Sequence, residues 1–171
     1  MLVKLVIIRT MKLIRTLKVT PQEFFDYVEM TLSHQGIYSS PSFTKDEIKT
    51  GLKFTIIDES QLKTSVTLLK YHPYDIYQSK VTNVNDTVIL TYLIQQKNDG
   101  IQVIFEQSID SFNNIKPNSL NAKFQETFYL GRMSDQLFKI EKDIIAIRNG
   151  ESIENTSKRK SLFIKWLCHN K

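Results

Sequence analysis

The sequence is sparing with the residues that staple, bend or span. Its 171 residues include one cysteine, Cys168, so no disulfide can close within the chain, and a small secreted scaffold held by disulfides is excluded. A reducing, cytoplasmic setting is the expectation that follows. Five glycines and four prolines are too few for a low-complexity or disordered chain. No run reaches the ~18 apolar residues that signal a transmembrane helix. The opening MLVKLVIIRT is apolar but short. It has no small-residue cleavage site and runs on into more Lys and Arg, which argues against a signal peptide. Residues 1–10 read as a leader or an alternative start ahead of Met11.

Acids are missing from one place. After Glu154 there is none, while Lys158, Arg159, Lys160, Lys165 and Lys171 follow. These five residues account for the whole net charge of +5, because the other 18 basic residues match the 18 acids. The body is neutral and residues 151–171 form a basic tail. Nucleic-acid binding wants basic residues spread over a folded face, so no nucleic-acid partner is expected. Within the tail, SLFIKWLCHNK puts Leu162, Phe163, Trp166 and Leu167 on one side of a short helix. Residues 158–171 therefore offer at most a weak, salt-sensitive contact with an anionic membrane surface.

Signatures of catalysis are missing too. There is no G-x-S-x-G, P-loop, dinucleotide fingerprint or H-E-x-x-H. The three histidines, His34, His72 and His169, stand apart from any second ligand at metal-binding spacing. No metal, cofactor or catalytic residue is assigned.

What the chain does contain is strong local punctuation. MKLIRTLKV, residues 11–19, alternates as a half-buried strand does. TPQEF follows at once. Thr20 suits an N-cap, Pro21 the first helical position, and Glu23 completes a capping box. A helix then carries Phe24, Val28 and Leu32 on one face and fades near His34–Gly36. Residues 37–44 read as irregular, and Thr44 caps one short helical turn. Five strands follow at short spacing: 52–57, 62–69, 74–80, 87–96 and 101–106. His72-Pro73, Asn85-Asp86 and Asn98-Asp99-Gly100 separate the later ones. Turns so spaced, without helices between them, specify an antiparallel meander.

From Ser119 to Arg148 the period becomes helical. Leu130, Met133, Leu137, Ile140, Ile144 and Ile147 step by three and four, and Phe124 and Phe128 extend a neighbouring stripe. Ser119 or Asn118 caps the start and Gly150 the end. Gly131 interrupts this helix, as a kink, a close approach or a tolerated break. A rod of about 45 Å with a continuous apolar stripe must lie along the sheet. The predicted class is α+β: a curved antiparallel sheet of about six strands wrapped around a long C-terminal helix.

That order of elements resembles the helix-grip fold of the START and birch-pollen-allergen (SRPBCC-like) superfamily. More narrowly, MKLIRTLKVTPQEFFDYV, IKTGLKFT, YHPYDIYQSKVTN, DTVILTYLI and NDGIQVIFEQSI resemble a family of small cytoplasmic proteins of Firmicutes known only as a domain of unknown function. The resemblance covers residues 11–150. It implies a sheet that grips the helix, often around an apolar cavity, in proteins that bind lipids, hormones or polyketides. A few of them catalyse cyclisation or hydroxylation. The glycine-rich loop of pollen-allergen-like members has no counterpart here, since Gly100 stands alone.

The expected role is a binding module for a small hydrophobic molecule. Phe54, Val66, Leu68, Tyr77, Tyr92, Phe105, Phe128, Met133 and Leu137 are the expected cavity-lining residues. The alternative is a non-enzymatic interaction or regulatory protein with a filled core. The apolar stripes carry almost no ionisable group, which points away from an enzyme.

Overall fold

A computed structural model describes residues 9–57, 61–114 and 119–151. The N-terminal eight residues and the basic tail, with its proposed membrane contact at residues 158–171, lie outside the described residues.

The chain opens with β1 (Thr10–Leu17) and passes directly into α1 (Pro21–Ile37). The capping box is present in full. The Thr20 backbone N–H donates to a Glu23 carboxylate oxygen at 2.7 Å, and the Glu23 N–H donates to the Thr20 hydroxyl at 3.1 Å. Two of the orphan donors at the helix start are thereby satisfied locally. Then come β2 (Ser39–Ser40), a 3-10 turn (Lys45–Glu47), β3 (Lys53–Ile57), β4 (Lys63–His72), β5 (Ile76–Thr82), β6 (Thr87–Lys97) and β7 (Gly100–Ile109). A second 3-10 turn (Asp110–Asn114) and α2 (Leu120–Arg148) complete the order.

The strands form one antiparallel sheet in the order β1-β7-β6-β5-β4-β3-β2. It has seven strands where about six were expected. The additional one is β2, two serines that pair with Ile56 and Thr55, too short to leave a period in the sequence. The β6–β7 turn works through Gly100, whose φ is +145°. A Cβ at Gly100 would stand 2.1 Å from the Leu17 carbonyl oxygen, so β1 can lie against β7 only because that atom is missing.

The helix α2 starts at Ser119, whose hydroxyl accepts from the Ala122 N–H at 3.1 Å. It ends in a left-handed Gly150 (φ +83°). The Gly150 N–H donates to Ile147 and the Glu151 N–H to Ala146, both at 3.0 Å, the paired bonds of a Schellman ending. The stripe Met133, Leu137, Ile140 and Ile144 is buried and joins the core shared by the inner face of the sheet and α1.

Candidate functional site

The inner face of the sheet is built in rows, because side chains at alternate positions of paired strands line up across it. One row runs Leu13, Phe105, Tyr92, Tyr77, Tyr71 from β1 to β4. The next runs Met11, Gln107, Leu90, Ser79, Leu68. A third runs Ile109, Val88, Val81, Val66, Phe54 from β7 to β3. Eight of the nine residues expected at the site are buried here: Phe54, Val66, Leu68, Tyr77, Tyr92 and Phe105 on the sheet, Met133 and Leu137 on α2.

Phe128 is the correction. It is 51% exposed, on the outer side of α2, with the Arg132 guanidinium over its ring at 4.8 Å. Together with Leu120 and Phe124, also exposed, it belongs to a stripe at i, i+4, i+8 that faces away from the sheet. Tyr74 is likewise outside, in the β4–β5 turn with a φ of +69°. Gly131 makes no close approach, since a Cβ there would meet nothing within 4 Å.

The centre of the sheet is tightly packed. A side chain bordering a void wide enough for water would keep accessible surface, yet Leu68, Tyr92, Phe105, Met133 and Leu137 are 0% exposed. The rings interlock: Tyr92 lies 4.5 Å from Phe105 and meets Phe24 edge-on at 5.7 Å.

Polar groups are few and placed with care. The Tyr92 hydroxyl accepts from the Gln136 amide at 2.7 Å. Burial pushes the Tyr92 phenol well up, with Tyr77 and Tyr27 adding to it. Burial likewise pushes Tyr77 up to about 12, with the Ser79 hydroxyl pulling the other way. Both phenols therefore stay protonated at neutral pH and serve as hydrogen-bonding groups, not bases. Asp143 is the buried carboxylate of α2. It accepts from the Tyr27 hydroxyl at 2.9 Å and lies 4.0 Å from the Lys139 ammonium, so it is occupied as a structural partner. Among the described residues, no group of three or more His, Cys, Asp or Glu is placed to hold a metal. No helix among them is long and apolar enough to cross a membrane.

The two halves of α2 bury different numbers of side chains. From residue 134 onward it is pinned by polar ties. Ser134 accepts from Arg15, Gln136 donates to Tyr92, and Glu141 accepts from the Lys18 backbone. Arg148 grips Glu23 through two bonds of 2.7 Å and donates to the Lys18 carbonyl at 3.1 Å. Between Leu120 and Arg132 the one buried residue is Ala122. Tyr129 is half-buried, edge-on to Phe112 at 5.9 Å.

Sequence reasoning missed Gln107, Ser79, Gln136 and Asp143. For Gln107 the signal was parity: it stands two residues beyond Phe105 and continues the inward series Ile101, Val103, Phe105. For Asp143 and Gln136 no local signal exists, because their partners lie 116 and 44 residues away.

A family model described as a domain of unknown function (DUF3284) matches residues 11–130. Comparison with curated proteins finds no match. Among solved structures, the chain is similar to the protein MLL2253 from Mesorhizobium loti, with a TM-score of 0.54 and 14% identity, over 80% of this chain and 96% of that one. It is similar to Ara h 8.0201, of the birch-pollen-allergen fold, with a TM-score of 0.54 and 11% identity, over 81% and 99%. It is also similar to SSP2350 from Staphylococcus saprophyticus, with a TM-score of 0.52 and 12% identity, over 85% and 96%. At these identities the likeness shows the fold: a curved antiparallel sheet with a long C-terminal helix.

Proposed function

From the chain's membership of the DUF3284 family, a domain of unknown function, and from the architecture above, we propose that this protein is a binding module for a small hydrophobic molecule. The ligand is held between the inner face of the sheet and the N-terminal half of α2. The observation that carries this is the asymmetry of α2. Its C-terminal half contributes four buried apolar residues, while the stretch from Leu120 to Arg132 buries Ala122 alone. An element with few buried contacts opens at low free-energy cost. Lifting that half exposes the apolar rows without breaking the ties at Ser134, Gln136, Glu141 and Arg148. Because the side chains at the centre of the sheet keep no accessible surface at rest, ligand entry and helix movement are coupled, and the ligand stabilises the open form by its differential affinity. The phenols of Tyr77 and Tyr92 supply orienting hydrogen bonds. Native mass spectrometry of protein purified from its own host tests the reading. A bound small molecule of constant mass supports it, and uniformly empty protein counts against it.

A second reading has its own observation. Side chains with no accessible surface at the centre of the sheet fit a solid-core interaction or regulatory protein whose partner surface lies elsewhere. Empty protein in the same experiment, with partners captured equally by chains with and without residues 151–171, would favour this reading and place the partner surface on the folded body.

A further inference from the structure

Packing does not explain the amide of Gln107 in the middle row. Gln107 is 0% exposed, and neither its amide nitrogen nor its amide oxygen has a hydrogen-bond partner among the described residues. Its cross-strand neighbours are Met11 and Leu90, and Phe105 and Ile109 flank it on the same face of β7. All four are apolar. Leaving a buried donor or acceptor unsatisfied is costly, whereas an apolar side chain of the same size would fill the place without that penalty.

Gln107 stands near the level at which the polar ties of α2 begin. Ser134 meets Arg15 and Glu141 meets Lys18, so α2 runs in the same direction as β1. Gln136 marks the level of the Tyr92 row. Gln107 lies one inward step from that row toward the start of β1, about 6.6 Å, which the helix covers in roughly four residues. This places Gln107 level with the stretch around Tyr129 to Met133, where the pinned half of α2 gives way to the other.

Resting on the binding reading above, we propose that Gln107 anchors the polar end of the ligand. That ligand is an apolar molecule carrying one donor and one acceptor side by side: a primary carboxamide, a lactam or an un-ionised carboxyl group. A glutamine amide presents an N–H and a C=O along one edge, and such a group closes a pair of hydrogen bonds with both. A ketone or ether satisfies the N–H and leaves the C=O bare. An alkane leaves both bare. An ionised carboxylate would meet the amide oxygen as well as the N–H, among side chains that offer its charge no compensation.

The test is displacement of Nile red, a neutral apolar fluorophore, by decanamide and by N,N-dimethyldecanamide, which keeps the chain and the carbonyl but has no N–H. With the unmodified protein, decanamide is expected to displace the dye at about one-tenth the concentration needed by its dimethyl analogue, the worth of one hydrogen bond to a buried group. For Gln107→Leu, with each displacement referred to the variant's own Nile red affinity, the difference between the two amides is expected to disappear. Should Gln107→Leu fail to fold, Gln107→Met serves the same purpose with an unbranched side chain. No uptake of Nile red by the unmodified protein would overturn the binding reading itself. Uptake with equal displacement by the two amides, with displacement by neither, or with a preference that survives in the variant would overturn the role of Gln107 alone.

Discussion

Replacing Glu23 by glutamine isolates one charge at the pinned end of α2. The Arg148 guanidinium reaches both carboxylate oxygens of Glu23 at 2.7 Å. These hydrogen bonds are the largest cause holding the Glu23 carboxyl at about 2, below its ordinary 4.5, with the Thr20 N–H and hydroxyl helping and burial opposing. The difference is equivalent to roughly 3.4 kcal/mol of folded-state preference for the ionised form. Water reaches the pair, since the side chains are 29% and 43% exposed, and screening leaves about 1–2 kcal/mol. A glutamine at this position still serves the capping box, so the loss reports the charge pair. A carboxyl depressed on folding stabilises fully above its unfolded value of 4.5, and that contribution disappears as the pH falls through 2. At pH 3 about two fifths of it remains by linkage. Urea unfolding at pH 7 should therefore show Glu23→Gln less stable by about 1–2 kcal/mol, and the gap should narrow steadily between pH 5 and pH 2. A gap of the same size at pH 3 and pH 7, or none at pH 7, would refute the reasoning.

Three further outcomes follow from the same structure. Gly131→Ala should raise stability by about 1 kcal/mol in urea unfolding, because the added Cβ meets nothing within 4 Å and alanine favours the helix; a loss would mean that something presses on that position after all. Gly100→Ala should do the reverse, with a lowered melting temperature or no folding by circular dichroism, since φ is +145° and the Leu17 carbonyl stands 2.1 Å away; a variant as stable as the parent would contradict the register between β1 and β7. Tyr77 is held protonated up to about 12 by burial, so it stabilises fully below the ordinary phenol value of 10.0 and less as the pH rises toward 12. Tyr77→Phe should flatten the loss of stability between pH 10 and pH 12 in denaturant melts, and an unchanged slope would remove Tyr77 from that loss.

Local rules made the scaffold readable, and distance hid the site. Thr20-Pro21-Gln22-Glu23 specifies its own cap by contacts three residues apart, so β1 and α1 were legible down to their junction. Asn98-Asp99-Gly100 and the inward alternation of Val103 and Phe105 did the same for β6 and β7. The break at His72-Pro73 was visible, but not the left-handed Tyr74, so the third strand of the meander was begun two residues before Ile76. Phe124 and Phe128 show the limit of periodicity: a helical stripe reveals that residues share a face, but not whether that face is covered. Met133 and Leu137 have the sheet beneath them, while Phe124 and Phe128 do not. Gln107 was hidden for a different reason. Polarity at an inward position reads as an end to the strand, when here the ladder runs on to Ile109. Ties such as Arg148 to Glu23, 125 residues apart, are set by the folded geometry and leave no local pattern.

The central claim is that α2 is a pinned rod with one half that lifts to admit an apolar ligand. Amide hydrogen exchange along α2, measured with and without Nile red, tests it most directly. Amides from Leu120 to Arg132 are expected to exchange well ahead of those from Met133 to Arg148 in the free protein, and to slow when the dye binds while the C-terminal half stays unchanged. Uniform protection along the whole helix, unaffected by the dye, would contradict it.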